Sequence, residues 1–394
     1  METRVASALS DGSTNEAAER LISLLRDRLG GRTPALVTAF SSTSQRLETV
    51  LGELKRAFPE ACVLGSSTAG EFTEERDAKG SVAAFAVAGE YKVFAGMATA
   101  LKADPAKAVG DALSESPESL DGYPHRTGIL LLDPLSGAGE EATLIAASLL
   151  GADTPLAGGA AGDDLKMAAT EVGLDGRVAS DAVVAAVVFS KAPLGVGVCH
   201  GHQALGPRMK VTRAEGNVVH EVDGRPAWEV WVETTSGAAA RQGKDPRSLG
   251  PNEVGAYLLT YEAGLDTGSS EMKIRAPLVK NADGALSFAC GIPEGATIRI
   301  TESVPARQIE SARKAAQRAK SGMGGNDVAG ALVFDCICRN LILGSSFHEA
   351  VRGISEELGR VPLAGYETYG EIALAAGDMS GFHNTTTVVL AFPR

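Results

Sequence analysis

Aromatic residues make up only 5% of this 394-residue chain, so its interior has to be built from smaller side chains, Ala, Val and Leu. The 46 glycines add tight turns and close backbone contacts. Cysteine is sparse too. The five present, Cys62, Cys199, Cys290, Cys336 and Cys338, are odd in number and scattered, which argues against a disulfide framework and for a reducing cytoplasm. Basic residues are outnumbered, 37 against 49 acidic, and the net charge of −12 sets aside nucleic acid and anionic lipid as partners. No apolar run approaches the roughly 20 residues of a membrane span, and residues 1–18 lack the apolar stretch of a signal peptide. The expected location is therefore cytoplasmic. What is present is 44% hydrophobic residues over a length suited to two or three domains.

Within that composition one unit occurs three times. Val63–Glu71 reads VLGSSTAGE, Pro155–Asp163 reads PLAGGAAGD and Pro362–Glu371 reads PLAGYETYGE. Each is a strand-like step reaching Gly, then a short loop, then a second Gly followed by a carboxylate. Each is preceded by an apolar strand (Ala35–Phe40, Gly128–Leu132, Gly330–Phe334), a polar loop and an amphipathic helix. Each is followed by another apolar strand (Val82–Val87, Val183–Phe189, Thr386–Phe392). Ser42 with Gln45, and Ser346 with Glu349, have capping-box spacing at the helix starts. A helix joining two strands of one sheet requires a parallel, right-handed crossover. The next strand, reached by a shorter loop, is expected to be antiparallel. The pattern predicts an α/β fold with some α+β character: two domains of mixed parallel and antiparallel sheet with packed helices, built from a repeated β-α-β-loop-β unit. The three Gly-acid loops are expected near one another.

Between the second and third copies, Val211–Trp231 reads as strands separated by turns at Gly216-Asn217 and Asp223-Gly224, with a helix beginning at Pro226. The small, polar stretch Thr234–Pro251 marks a boundary. The expected division is 1–32 as an N-terminal extension and helix, 33–235 as a first domain, 236–251 as a linker and 252–394 as a second domain. Val304–Lys320 predicts a basic helix with a solvated face.

These segments together resemble the FIST family, named for F-box and intracellular signal transduction proteins. Residues 33 to about 210 are similar to its amino-terminal domain through VLGSSTAGE and PLAGGAAGD, and VTRAEGNVVHEVDGRPA is similar to the family's junction. Asn252–Phe392 resembles the carboxy-terminal domain through FDCICR, PLAGYETYGEI and FHNTTT, with Cys338 a departure inside the first of these. The resemblance implies a bacterial sensory protein rather than an enzyme, with an amino acid or related metabolite as ligand. Some members are similar to haem-binding nitric-oxide sensors. No kinase, cyclase or receiver segment is visible, so output is expected through a separate partner such as a histidine kinase, chemoreceptor or cyclic-di-GMP enzyme. The sequence leaves the oligomeric state open.

The expected ligand site is Arg339, Tyr366, Tyr369, Gly370, Glu371 and Asn384, with Cys336 beside them. A guanidinium captures a carboxylate with two parallel hydrogen bonds, a carboxylate complements an amine, and Tyr rings pack on a carbon skeleton. A salt bridge from Arg339 to Glu371 or Asp335 is the competing reading. Secondary loops offer Ser66, Ser67, Gly70, Glu71, Gly162 and Asp163, where loop capping is favoured for the two acids. Cys336 and Cys338 share a face if their segment stays extended, yet two thiols do not make a zinc site, and Cys199-His200-Gly201-His202 supplies too few ligands. No metal or cofactor is expected. The alternative is haem, held by His200, His202, His220, His348 or His383. Thiol-dependent acyl transfer by Cys336 with His348 or His383 and Glu371 is the least favoured reading, and GxSxG, phosphate-loop and HExxH motifs are absent.

Overall fold

The computed structural model describes residues 2–268, 271–375 and 381–394. Three six-stranded sheets of one plan dominate it. In the first, Leu36–Ser41 and Cys62–Ser67 are parallel and joined by helix Leu47–Ala57, while Val82–Ala88 lies antiparallel between Leu36–Ser41 and Arg4–Ser10. In the second, His125–Leu132 and Leu156–Ala160 are the parallel pair, with Ala182–Ser190 antiparallel between His125–Leu132 and Tyr91–Thr99. In the third, Val328–Cys336 and Leu363–Thr368 are parallel, with Thr386–Pro393 antiparallel between Val328–Cys336 and Gly195–His200. The mixed α/β fold is as the sequence predicts. Each repeat also opens with a further strand and helix, the helices being Thr14–Leu29, Pro105–Leu113 and Pro305–Ser321; the first and last answer to the helices expected within 1–32 and over Val304–Lys320, and Pro105–Leu113 was not anticipated.

The remaining places in each sheet are filled by a neighbouring repeat. Glu71–Thr73, leaving the first Gly-acid loop, pairs with Leu363–Thr368 of the third repeat. Glu371–Leu374 of the third pairs with Leu156–Ala160 of the second, and Val172–Leu174 of the second pairs with Cys62–Ser67 of the first. The exchange closes a ring with threefold pseudo-symmetry.

The strands are apolar along nearly their whole length because both faces are covered. One face of every sheet turns to a common core that includes Phe40, Leu131, Phe334 and Tyr366. The other packs on that repeat's own helices. Gly65, Gly158 and Gly365 occupy matching places opposite Ala39, Leu130 and Val333. A Cβ there would fall 2.0, 1.9 and 2.4 Å from those residues' carbonyl oxygens, so a side chain would force the parallel partner away.

Residues 202–303 form an insertion in the third repeat, after Gly195–His200 and before Pro305–Ser321. Their nine-stranded antiparallel sheet and helices Ala227–Arg241 and Pro251–Thr260 enclose a core around Trp231, Tyr257, Tyr261 and Phe288. The turn at Asp223-Gly224 is present, both residues having positive φ. The stretch 236–251 lies within this unit, its first residues finishing helix Ala227–Arg241. The insertion leaves and rejoins the third repeat at the carboxyl ends of its parallel strands and packs there.

Two local expectations differ from the structure. Ser42 and Gln45 do not cap a helix: Ser42 donates to Glu71, and the Gln45 amide donates to the carbonyls of Gly12 and Gly80. The Ser42 oxygen accepts instead from the Gly80 N–H (2.8 Å), a donor far along the chain. Ser346 is the N-cap of Phe347–Glu357, but its side chain makes no capping hydrogen bond. No helix among the described residues is long and apolar enough to cross a membrane.

Candidate functional site at the carboxyl edge

The three Gly-acid loops meet at the carboxyl ends of the parallel strands. The Glu367 N–H donates to Gly70 O (2.8 Å), Gly162 N–H to Ser67 O (2.9 Å) and Ala160 N–H to Gly370 O (2.7 Å). Two of their acids do the same mechanical job. Glu71 accepts from Thr68 three residues before it, from Ser42 (2.8 Å) and from the Ser81 hydroxyl (2.6 Å). Glu371 accepts from Thr368 three residues before it and from the Thr386 N–H (3.0 Å) and hydroxyl (2.8 Å). Each ties its loop to the start of the returning strand. In the second repeat Asp133 takes that role, accepting from Thr170 and from the Asp181 N–H (2.6 Å). Burial pushes Glu71 up to about 7 and Glu371 up to about 8, against the pull of their hydroxyl donors. For Asp163 burial also acts upward. The Tyr369 hydroxyl (2.5 Å) and the N–H groups of Met167, Ala168 and Ala169 outweigh it and hold this carboxyl low. Ser67 accepts from the Glu171 N–H (2.9 Å), and Ser66 is buried in its strand.

Arg339 and Glu371 do not face one concave space, which corrects the expectation that they jointly receive a ligand. The strand ends at Cys336 and the chain turns helical at Ile337, so Cys338 does not share an extended strand with Cys336, and Arg339 sits on helix Ile337–Leu343. There it is fully buried. Its Nε donates to Asp335 (2.7 Å), and its terminal nitrogens donate to Gln308, to Ser311 (2.8 Å) and to the Gln308 carbonyl (3.0 Å). The salt bridge to Asp335 therefore occupies the guanidinium. Tyr366 is packed in the common core, its ring centroid 4.4 Å from that of Phe40 and 5.7 Å from that of Phe334. Gly370 lies against the Phe382 ring. Tyr369 is half-buried and also accepts from the Leu165 N–H (2.7 Å). Asn384 donates to the His383 carbonyl (3.1 Å) and accepts from the Ala276 N–H of the insertion (3.5 Å). Cys336 is buried beside Cys338, Ala69 and Ala276, and burial pushes its thiol well up, which is the reverse of an activated nucleophile. Six of the seven predicted residues gather at the carboxyl edge, where loop contacts interlock them, while Tyr366 lies in the common core.

The same edge, where the insertion covers it, holds polar atoms of another kind. His202 Nε2, Glu262 Oε2 and Arg275 Nε are buried and have no hydrogen-bond partner. The Thr301 hydroxyl donates to Glu262 O (2.9 Å), so His202 Nδ1 must donate to that hydroxyl (3.1 Å), leaving Nε2 as a bare acceptor. It stands 3.5 Å from Glu262 Oε2. Burial, the neighbouring His200 and Arg339 push His202 well below its ordinary range; burial pushes Glu262 well above its own. Both shifts favour the uncharged forms. Glu262 Oε1 accepts from Thr385 (2.9 Å), tying the insertion to the third repeat. Arg275 donates to Glu140 of the second repeat (2.7 Å) and to the Phe382 carbonyl (3.4 Å), and Lys273 shares the same Glu140 oxygen (2.7 Å). His202 stood out in the sequence as part of a His pair. Glu262 and Arg275 did not, although a charge inside YEAGL and KIRAP, short apolar strands otherwise, was the available sign. No group of three or more His, Cys, Asp or Glu side chains among the described residues is placed to hold a metal ion.

Comparison with known families matches the FIST N domain over residues 35–225 and the FIST C domain over residues 229–374. The chain belongs to the FIST family. FIST domains are associated with sensory function in signal transduction. The FIST N match ends inside the insertion and the FIST C match begins there, so the third repeat is shared between them: Gly195–His200 belongs to the first and Val328–Cys336 to the second. Among curated relatives, the uncharacterized protein Rv0628c of Mycobacterium tuberculosis is 29% identical over 197 residues, half of each chain. The uncharacterized protein Mb0898c of Mycobacterium bovis is 28% identical over 197 residues, 50% of this chain and 49% of its own. The uncharacterized protein MJ1623 of Methanocaldococcus jannaschii is 25% identical over 253 residues, 58% of this chain and 47% of its own. The chain thus spans about half the length of the curated relatives it matches.

Proposed function

We propose that this FIST protein is a cytoplasmic, non-enzymatic sensor of a free amino acid or related metabolite, received where the insertion meets the carboxyl edge of the repeats. The observation that supports this is the trio of unpartnered buried atoms on His202, Glu262 and Arg275. Native interiors leave few polar groups unpaired, and such groups mark places where a ligand or water belongs. A guanidinium complements an amino acid's carboxylate, and a carboxyl complements its amine. In this reading Tyr369 and Asn384 flank the site, and Arg275 and Glu262 take the parts that the sequence assigned to Arg339 and Glu371. His202, Glu262 and Arg275 are buried, so ligand entry would require the insertion to shift, and a ligand that favours the shifted state would move its population. A separate signalling protein, such as a histidine kinase, chemoreceptor or cyclic-di-GMP enzyme, would read that shift.

A thermal-shift screen of the free amino acids and small carboxylates tests the reading. A true ligand at a hundredfold excess over its Kd stabilises the fold by about 2.7 kcal/mol. Glu262→Gln should abolish the shift while its unliganded Tm stays close to the parent's, because Gln has nearly the shape of Glu and burial disfavours the charged carboxylate there. A screen without a hit, or a hit that Glu262→Gln retains, sinks the assignment. Hemin belongs in the same screen with an absorption spectrum, where a Soret band at stoichiometric haem would replace the amino-acid reading with the gas-sensor one.

A further inference from the structure

The opposite, amino edge of the parallel strands carries a cleft of about 720 Å³ between the first and third repeats. It is bounded by the start of Arg4–Ser10, the end of helix Thr14–Leu29, and the starts of Val328–Cys336 and Leu363–Thr368. Four guanidiniums line it: Arg4, Arg28, Arg32 and Arg394. Three carboxylates share the wall, those of Glu2, Glu74 and Glu75. Glu75 pairs with Arg28 (2.9 Å), and Glu74 accepts from the Ser7 hydroxyl (2.8 Å) and the Leu363 N–H (2.9 Å). Arg4 donates through Nε to the Arg28 carbonyl, and Arg32 donates to the Glu2 carbonyl. Among the described residues no carboxylate pairs with the guanidinium of Arg4, Arg32 or Arg394. Four guanidiniums against the carboxylates of Glu2, Glu74 and Glu75 leave the lining side chains with a net positive charge on a chain of net charge −12, and three of the guanidiniums lack an ion-pair partner among the described residues.

The pseudo-symmetry supplies an internal comparison. The matching cleft between the second and third repeats, about 320 Å³, lies at the starts of His125–Leu132, Leu156–Ala160 and Gly195–His200. Its arginine, Arg126, spends its terminal nitrogens on the carbonyls of Glu118 and Leu150, and Asp153 adds a negative charge. The fold therefore makes this kind of cleft more than once and equips one of them with free guanidiniums.

We infer that the Arg4–Arg32–Arg394 cleft is a binding site for a multiply charged small oxyanion, a phosphorylated or polycarboxylate metabolite. Guanidinium forks match phosphate and carboxylate oxygens with paired hydrogen bonds, and the volume lies in the range of small-molecule sites. The site is separate from the proposed sensory seam and does not rest on it. An anion here would clamp the first strand of the chain to the strands of the third repeat.

Isothermal titration with pyrophosphate, AMP and citrate, each against sodium chloride of equal ionic strength, tests the inference and separates the two chemistries. At least one should bind. The Arg4→Ala, Arg32→Ala double variant should weaken that binding about a hundredfold with an unchanged unliganded Tm. Asp153→Ala, in the matching cleft, should leave it untouched. If none of the three anions binds above the chloride control, or the double variant binds as tightly as the parent, the cleft is not an anion site.

Discussion

Arg339 and Glu371 show how a buried charge and a buried acid stabilise this protein by different routes. The guanidinium is fully buried and pairs with Asp335. Removing one partner of such a pair strands the other, at a cost of about 3–5 kcal/mol. Asp335→Asn is therefore expected to lower the urea midpoint steeply, and a loss below about 1 kcal/mol would show that Gln308 and Ser311 alone satisfy the arginine. Glu371 behaves oppositely, because burial raises it from an ordinary 4.5 to about 8. The native state keeps a proton that the unfolded chain has released, so its stability is full below 4.5 and is lost as pH climbs through 8. Glu71 and Glu367, raised to about 7 and about 8, act in the same direction. His202 and His383, both lowered by burial, act the other way only below their ordinary 6.5. Between pH 6.5 and 8 the urea midpoint should fall, and Glu371→Gln should flatten that slope. An unaltered slope would mean that Glu371 is ionised in the folded state.

At the scale of elements, the Gly-acid repeat was legible because a strand, a crossover helix and a second apolar strand leave a period that composition does not blur. Its meaning was legible in part. Glu71 and Asp163 read as loop caps, but Glu371 looked like a ligand group, since a sequence shows its carboxylate but not Thr368 and Thr386 closing on it. The opening strands Arg4–Ser10, Tyr91–Thr99 and Gly195–His200 escaped for a related reason: they are edge strands whose partners lie far along the chain. The repeat's first Gly has a measurable role. Gly158→Ala would drive a methyl into the Leu130 carbonyl and should cost about 1–3 kcal/mol or more, with Gly65→Ala and Gly365→Ala similar. Gly110, inside helix Pro105–Leu113 with nothing near a Cβ, is the contrast. Gly110→Ala should stabilise by about 0.5–1 kcal/mol. Equal effects at Gly110 and Gly158, read by chemical denaturation, would contradict the close-approach account.

At the scale of the whole molecule, the repeats share one core and the insertion owns another. Both tryptophans, Trp228 and Trp231, lie in the insertion, so intrinsic fluorescence reports on it while far-UV circular dichroism reports on the entire chain. The seam between them is polar, and the two signals should give separate urea midpoints. Coincident midpoints would mean that the seam couples the units into a single cooperative transition. The ring of exchanged strands has a further consequence, for the order of events on the ribosome. The strand Glu71–Thr73 is made early, but the strand it pairs with ends only at Thr368. At about 5–20 residues per second, the roughly 290 residues between them take on the order of 15–60 seconds to appear. Throughout that wait the first repeat exposes an unfilled sheet edge and an apolar face without its shared core, so nascent chains should be clients of holding chaperones until the last repeat emerges.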